Sequence, residues 1–212
     1  MKTSWQTTGR AVLGAVWLAA AALARENPPM SSRILTVLVV DYAGVPDGSL
    51  KDMEALSSVL LSRAGVRTEW VHCLGHTAGS RPAICDANLE TGSVLLRILK
   101  AYPGTQNKLG DPLGTAMVES GYASIYVSEI ERDAAQNELT AGCLMAYAAT
   151  HEIGHLLLGP KHSPAGIMRA IWGPAEYRAM GQRGLNFNRT QQAALRLAVP
   201  VAGERLAGLR RP

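Results

Sequence analysis

Residues 151–162 read His151-Glu152-Ile153-Gly154-His155-Leu156-Leu157-Leu158-Gly159-Pro160-Lys161-His162. On a helix, positions i and i+4 lie one above the other, so His151 and His155 can direct an imidazole nitrogen at the same point. Glycine followed by proline is typical of a helix end, because glycine accepts a left-handed backbone and proline cannot continue the helix. The turn that follows can bring His162 back toward the first two histidines.

This spacing predicts a catalytic zinc site. Three protein ligands, His151, His155 and His162, leave the fourth position of a tetrahedral zinc open, as in catalytic rather than structural sites. Glu152 lies beside the helix histidines but off their line, so its carboxylate can reach the attacking water instead of the metal. HExxH patterns also arise by chance on amphipathic helices, but the apolar surroundings, the glycine-proline stop and the further histidine favour zinc. We expect one catalytic Zn²⁺, with Glu152 as the general base of a hydrolase.

Residues 151–168 resemble the active-site signature of the metzincin metalloproteases. That family has a long helix carrying HExxH, a glycine turn, a third histidine and then a methionine-containing turn beneath the zinc. The segment His162-Ser163-Pro164-Ala165-Gly166-Ile167-Met168 is similar to the His-Ser and Met-turn region of matrixin-like members. The resemblance implies that Met168 forms the floor of the site, whereas ordinary core packing is its alternative role.

The spacing departs from the family pattern. Gly159 and His162 each come one residue later after the second histidine than in the family, and the extra residue lies within Leu156-Leu157-Leu158. The helix must therefore run one residue further or bulge before it turns. The gap from His162 to Met168 is also short, which indicates a divergent branch.

Glu176 is the rival for the third ligand position, at a distance from the second histidine that resembles thermolysin-like enzymes. A second helix beginning at Pro174 would have to present it. The other interpretation, which we favour, is a solvated acid in the first turn of that helix. Tyr177 is a candidate to lean into the cleft and donate a hydrogen bond to the oxyanion.

The first 24 residues have the pattern of an export signal. Lys2 and Arg10 precede the apolar run 11–24, and Ala22-Leu23-Ala24 is a small-x-small cleavage pattern. The run is shorter than the roughly twenty residues that span a bilayer, although an uncleaved anchor helix is the alternative. Removal of residues 1–24 would lower the formal net charge from +4 to +2, which does not indicate a nucleic-acid partner. We expect a secreted or periplasmic protein without a stable membrane span after cleavage.

Cysteine usage agrees with export. Cys73 and Cys85 bracket a loop rich in Gly, Ser and Pro, where a disulfide would stabilise a segment with little core of its own. Cys143 lies two turns before His151, where a buried free thiol is expected. A Cys-His zinc site at Cys73 with His72 or His76 lacks the paired spacing of structural zinc modules.

The periodicity of the chain predicts an α+β domain over residues 25–204, with a flexible tail over 205–212. Strands are expected at 34–40, 68–73, 94–99 and 122–130. Helices are expected at 50–64, 139–158 and 190–198, the last capped by Asn188 or Thr190. These elements imply a mixed, twisted sheet packed on the zinc-binding helix. The metzincin resemblance adds a small irregular C-terminal subdomain.

The resulting functional prediction is a zinc-dependent peptidase, an endopeptidase of metzincin type, acting on peptides or proteins. The substrate backbone would pair with an edge strand beside the cleft, for which the 122–130 segment is the candidate. Two alternatives are a zinc amidase acting on cell-wall or other non-peptide amides, and a non-catalytic zinc-binding protein on a degenerate protease fold. An intact Glu152 argues against the second alternative, because holding zinc does not require a carboxylate there.

Overall fold

The structure is a computed structural model that describes residues 33–74, 82–86, 89, 92–104 and 111–200. The predicted export signal and the predicted tail lie outside these residues. The described strands are β1 (Ile34–Asp41), β2 (Arg67–Leu74), β3 (Ser93–Leu99), β4 (Gly114–Met117) and β5 (Tyr122–Tyr126). The described α-helices are α1 (Asp47–Arg63), α2 (Val127–Gln136), α3 (Ala141–Leu158), α4 (Pro174–Gly181) and α5 (Arg189–Ala198).

The five strands form one mixed sheet in the order β2-β1-β3-β5-β4. Strand β1 pairs in parallel with β2 and β3, and β3 pairs in parallel with β5. Among the described strands, only β4 runs antiparallel to its neighbour, β5. The predicted α+β class with a mixed sheet is therefore confirmed.

The core lies between this sheet and helices α1 and α3. Leu35, Val37 and Val39 alternate along β1 and all belong to the core, since alternate side chains of a strand point to the same face. Helix α3 packs on β3, β4 and β5, while α1 packs on α3 and β2. Helix α3 therefore lies against the part of the sheet that ends in the edge strand β4.

Helix α3 begins at a capped end and is buried for most of its length. The Thr140 hydroxyl accepts a hydrogen bond from the backbone N–H of Cys143 at 3.1 Å, which satisfies one of the free donors at the helix start. From Leu144 to His155 every side chain is buried. Polar residues are uncommon on such a helix unless they are paired or functional, and here they include His151, Glu152 and His155.

The predicted 122–130 strand is wrong beyond Tyr126. The chain enters helix α2 at Val127, and no side chain caps that helix start. Strand β4 was not predicted, and it occupies the sheet edge, so β5 lies inside the sheet between β3 and β4. The 122–130 segment is therefore not the edge strand that a substrate could extend.

The elements at the C-terminal end of the described chain match two further predictions. The predicted helix at Pro174 exists as α4, and the Asn188 side chain caps α5 by accepting from the Gln191 N–H at 2.9 Å. Residues 159–200 consist of α4, α5 and connecting loops, and their status as a separate subdomain stays a prediction. No helix in the described ranges has both the length and the apolar character needed to cross a membrane.

The predicted disulfide is present. Cys73 and Cys85 are bonded with a Cα–Cα distance of 5.5 Å, within the ordinary range for such a bridge. The predicted disulfide is therefore confirmed, and it connects the end of β2 to the segment that precedes β3. The Cys143 thiol is free as predicted, but it is half-buried rather than buried.

Candidate active site

The imidazole rings of three histidines lie close together, two on the C-terminal half of α3 and one on the turn that follows it. The His155 Nε2 atom lies 3.0 Å from His151 Nε2 and 3.2 Å from His162 Nε2. The ligand atoms of the three residues all lie within 4.8 Å of one another. His151 and His155 are buried, whereas His162 is exposed and reaches the site from the turn. The structure therefore brings together the three histidines that the sequence predicts as ligands.

Hydrogen bonds determine the tautomers of the two helix histidines. Nδ1 of His151 faces the carbonyl oxygen of Ile167 at 2.7 Å, and Nδ1 of His155 faces that of Gly159 at 3.1 Å. A carbonyl can only accept, so each Nδ1 carries the proton and each neutral ring presents an Nε2 lone pair. Such hydrogen bonds orient metal-binding histidines and raise their basicity.

Burial also keeps these rings neutral. It lowers the pKa of His151 to about 4, against a smaller opposing effect of the hydrogen bond to Ile167. Burial likewise lowers the pKa of His155. Lone pairs brought to about 3 Å repel unless a cation lies between them, so the donor set fits a metal ion. Neutral imidazoles in a three-ligand set suit zinc, and the cluster is consistent with one Zn²⁺.

The extra residue before the glycine is accommodated by a longer helix. The N–H of Gly159 donates to the carbonyl of His155 at 2.9 Å, which is the ordinary i to i−4 bond of an α-helix. Gly159 then takes a φ of 87° and ends α3, a backbone conformation that favours glycine. Of the two expected solutions, the structure shows a helix that runs one residue further.

Glu152 lies on α3 between the histidines and the edge strand. Its side chain packs on Gly114 of β4 so closely that a Cβ at Gly114 would come within 2.6 Å of Glu152 Cγ and 2.9 Å of Oε1. Glu152 is 6% exposed, and burial raises the pKa of this carboxyl to about 8. It lines the same cavity as the three histidines. The position is the one predicted, and its catalytic role stays a prediction.

The Met168 side chain packs against helix α3 at Gly154. A Cβ on Gly154, the residue before His155, would come within 2.5 Å of the Met168 Sδ. The turn is closed by the N–H of Ser163, which donates to the Met168 carbonyl at 2.8 Å. Gly154 thus leaves room for the Met168 side chain against α3, and the role of Met168 as the floor of the site stays a prediction.

Glu176 is held by other partners. Its carboxylate accepts from Arg169 Nη1 at 2.5 Å and from the Gly173 N–H at 2.9 Å. These contacts lower the pKa of Glu176, the Gly173 hydrogen bond contributing most. Glu176 is only 8% exposed, so the expectation of a solvated acid is wrong, although it does occupy the first turn of α4. The described cluster of possible metal ligands does not include it.

Tyr177 lies on the wall of the cavity, as predicted. Its hydroxyl donates to Asp133 Oδ2 at 3.3 Å, and burial, reinforced by the charge of Asp133, raises its pKa to about 12. The single hydroxyl proton is engaged with Asp133. The oxyanion role predicted for Tyr177 therefore has no support in this geometry.

The histidines and Glu152 open into a cavity of about 670 Å³. One wall is strand β4 with the residues before it, and another is the turn that carries Arg169, Ile171 and Trp172. Asp133 at the end of α2 completes the lining together with Tyr177 of α4. Asp133, Arg169 and the close contact at Gly114 were not predicted, because no local pattern distinguishes them from surface acids, surface bases or loop glycines.

No protein-family model matches this chain, and neither does any curated protein sequence. Solved structures do match. A zinc-dependent peptidase from Methanocorpusculum labreanum is similar with a TM-score of 0.50 at 15% identity, covering 75% of this chain and 99% of that one. Archaemetzincin from Archaeoglobus fulgidus, complexed with malonate, gives a TM-score of 0.47 at 15% identity, covering 76% and 99%. The first likeness shows that this chain shares the fold of the Methanocorpusculum peptidase.

Proposed function

We propose that this chain is a zinc-dependent endopeptidase of metzincin type. The observation that carries the proposal is the convergence of three histidine Nε2 atoms, within 4.8 Å of one another, beside a buried carboxylate in one cavity. The shared fold with a protein described as a zinc-dependent peptidase supports the same class. His151, His155 and His162 would hold the ion.

Zinc, when bound, lowers the pKa of water toward neutrality and polarises a carbonyl oxygen. Glu152, in its ionised form, then accepts the proton of the attacking water and transfers it to the leaving amine. The wall of β4 excludes solvent from one side of Glu152, because Gly114 lies against its side chain. The hydrogen bonds to Ile167 and Gly159 hold the two helix histidines in the tautomer that binds metal.

Strand β4 replaces the 122–130 segment as the proposed substrate-pairing edge. It is the last strand of the described sheet, and Gly114, Thr115 and Ala116 line the cavity beside Glu152. An extended peptide can add to such an edge through main-chain hydrogen bonds, which accept many sequences. This arrangement would hold a peptide bond in line with the histidines.

The proposal includes export. The Cys73–Cys85 disulfide supports it, because such bonds persist in oxidising compartments. The signal segment 1–24 would be removed, leaving the peptidase domain from residue 25 to about residue 204.

The test combines metal analysis with a broad activity screen. Purified protein should contain one zinc per chain, cleave members of a mixed peptide library, lose activity with a chelator and regain it with added zinc. Peptides and cell-wall fragments should be assayed side by side. Cleavage of wall amides alone would establish the amidase alternative, and zinc without any hydrolysis would establish a non-catalytic zinc protein.

A further inference from the structure

Trp172 contacts one of the helix histidines from the turn that follows Met168. The rings of Trp172 and His151 are perpendicular, and their centroids are 5.4 Å apart. Trp172 is partly buried, packs against the core and lines the cavity. Aromatic rings favour such an edge-to-face arrangement. The contact therefore limits the space in which the His151 imidazole can rotate.

The two side chains also share one hydrogen-bond acceptor, the backbone carbonyl oxygen of Ile167. Nδ1 of His151 donates to this oxygen at 2.7 Å, and Nε1 of Trp172 donates to it at 3.2 Å. A carbonyl oxygen has two lone pairs, so it can accept both hydrogen bonds at once, and an indole nitrogen can only donate. The Trp172 N–H thus helps to fix the acceptor that determines the tautomer of His151.

The backbone of Ile167 is anchored on its other side as well. Its N–H donates to the Asn186 carbonyl at 3.1 Å, and its side chain is fully buried. Gly166 lies so close to Asn186 that an added Cβ would come within 2.6 Å of that carbonyl oxygen. The Ile167 carbonyl therefore has a defined position. Among the described residues, Trp172 is the one side chain besides His151 that donates to it.

The second helix histidine is held in a different way. Nδ1 of His155 donates to the Gly159 carbonyl at 3.1 Å, and Gly159 ends the same helix. In the part of the chain that the structure describes, no second side chain donates to the Gly159 carbonyl. The orientation of His155 therefore depends on α3 itself, whereas that of His151 also depends on a turn outside the helix that carries it.

We infer that Trp172 is a positioning residue of the metal site, which holds the His151 imidazole in the orientation and tautomer that bind zinc. Trp172 acts through the Ile167 carbonyl and through the direct contact between the rings, and it supplies no ligand atom. Residues that orient a ligand histidine in this way contribute to metal affinity. The inference rests on the zinc site of the proposed function, and it does not depend on which bond that site hydrolyses.

The first experiment measures the zinc affinity of variants at position 172 by competition with a chromophoric chelator. Trp172→Phe keeps an aromatic ring but removes the N–H, so the dissociation constant of zinc should rise by about 3- to 10-fold, the size of one neutral hydrogen bond. Trp172→Ala removes both contacts, and the rise should reach roughly 10- to 100-fold. Either variant still fills with zinc when zinc is in excess. Affinity is measured rather than turnover, because Trp172 lines the cavity and substrate contacts there would also affect turnover.

Trp70→Phe is the matched control. The Trp70 indole also donates one hydrogen bond, to the Ser58 hydroxyl at 2.8 Å, and Trp70 is also partly buried. It lies on β2, at the opposite end of the described sheet from β4. The two phenylalanine variants therefore lose the same type of contact, and we expect only Trp172→Phe to lose zinc affinity. The Tm of each metal-free variant is measured beside its affinity.

The second experiment observes the ring N–H groups of the histidines directly. Co²⁺ loaded in place of zinc shifts the proton resonances of its ligands, and the Nδ1–H of each ligand histidine gives a signal that exchanges with water. One of these signals should move and exchange faster in Trp172→Phe, while the others stay in place. Trp70→Phe should leave all of them unchanged. A general loosening of the fold would not select one histidine.

The outcomes separate this inference from the peptidase proposal. Wild-type zinc affinity in both Trp172 variants, equal losses in Trp172→Phe and Trp70→Phe, or histidine signals that all respond alike would each overturn the positioning role. Wild-type protein that binds zinc but cleaves no peptide would overturn the peptidase proposal, and the measured affinities would still decide the role of Trp172. Wild-type protein that binds no zinc would overturn both.

Discussion

Helix α3 with the turn that follows it and the remaining wall of the cavity differ in how their residues are distributed along the chain. The three histidines proposed as metal ligands and Glu152 come from twelve consecutive residues on α3 and its turn, 151–162. The wall comes from at least four separate segments: β4 with the residues before it, α2, the turn at 169–172 and α4. Reactive groups can thus be concentrated in one motif, whereas a binding surface is assembled by the fold.

This difference predicts two kinds of mutational effect. Changes on α3 and its turn should abolish zinc binding or turnover on every substrate. Changes on the wall should leave zinc in place and alter rate or selectivity by smaller factors. Each prediction below tests that division, from the largest effect to the smallest.

The largest effect is expected from His155→Ala. His155 is the central member of the cluster, with its Nε2 3.0 Å from that of His151 and 3.2 Å from that of His162. Its loss leaves two ligands, so zinc retention should fall by more than the roughly 10- to 100-fold that loss of a supporting residue costs. Activity should be undetectable. Zinc content after dialysis against a weak chelator is the measurement, and His162→Ala should behave similarly.

His72→Ala is the control for the loss of an imidazole. His72 lies 2.7 Å from Glu54 and does not line the cavity, so this variant should keep its zinc. Zinc retained by His155→Ala at the wild-type level would show that the metal is held elsewhere.

The next effect is expected from Glu152→Gln. Glutamine preserves the shape but cannot accept the proton of the attacking water, so kcat should fall by about 10² to 10⁴. Zinc content and Tm should be retained, because burial already disfavours the charged form of Glu152 and raises its pKa to about 8 in the metal-free protein. Near-normal turnover would assign the base elsewhere, and loss of zinc would make Glu152 a ligand.

The two regions also differ in how well the sequence predicts them. Strands β1, β2 and β3 and helix α3 follow from apolar periodicity, and the three histidines follow from their spacing. Strand β4 is only four residues long, Gly-Thr-Ala-Met, too short for an alternation to stand out. Helix α2 begins directly after Tyr126 without a side-chain cap, so the apolar pattern of β5 continues into it without a boundary signal.

Among the residues of the site, too, some can be predicted from the sequence and others cannot. Asp133 and Arg169 acquire their significance from contacts with Tyr177 and Glu176, which only tertiary packing creates. Glu176 was expected in solvent because its ion pair with Arg169 depends on how the turn after Met168 folds back. Spacing along one helix can be read locally, whereas contacts between segments cannot.

An intermediate effect is expected from Gly114→Ala, where the wall contacts Glu152, the proposed general base. The added Cβ would lie 2.6 Å from Glu152 Cγ and 2.9 Å from the Ser124 carbonyl oxygen, so the carboxylate or the strand must shift. A displacement near 1 Å can cost on the order of 10²-fold in rate, and we expect a loss of about 10- to 100-fold in kcat with zinc retained.

Gly48→Ala is the matched control for Gly114→Ala. A Cβ at Gly48 would meet nothing within 4 Å, so this variant should behave like the wild type. If Gly114→Ala keeps full activity, the contact between the wall and Glu152 has no functional role. If Gly114→Ala loses zinc, the wall also affects metal binding, and the division between the wall and α3 with its turn is wrong.

The smallest effect is expected from Glu176→Gln, which tests the rival third ligand. Glu176 is paired with Arg169, whose side chain is 43% exposed, and such an ion pair contributes about 0.5 kcal/mol. The pKa of Glu176 in the folded protein is lowered from the usual 4.5, first by the Gly173 N–H and then by Arg169. The ionised carboxylate therefore stabilises the fold above pH 4.5, and this stabilisation is lost as the pH falls through the lowered pKa. In zinc-free protein, the stability difference between wild type and variant should therefore be small at neutral pH and disappear in acid. Zinc retention should be unchanged in Glu176→Gln, whereas it should fall in His162→Ala. If the Glu176 variant loses zinc and the His162 variant keeps it, Glu176 and not His162 is the third ligand.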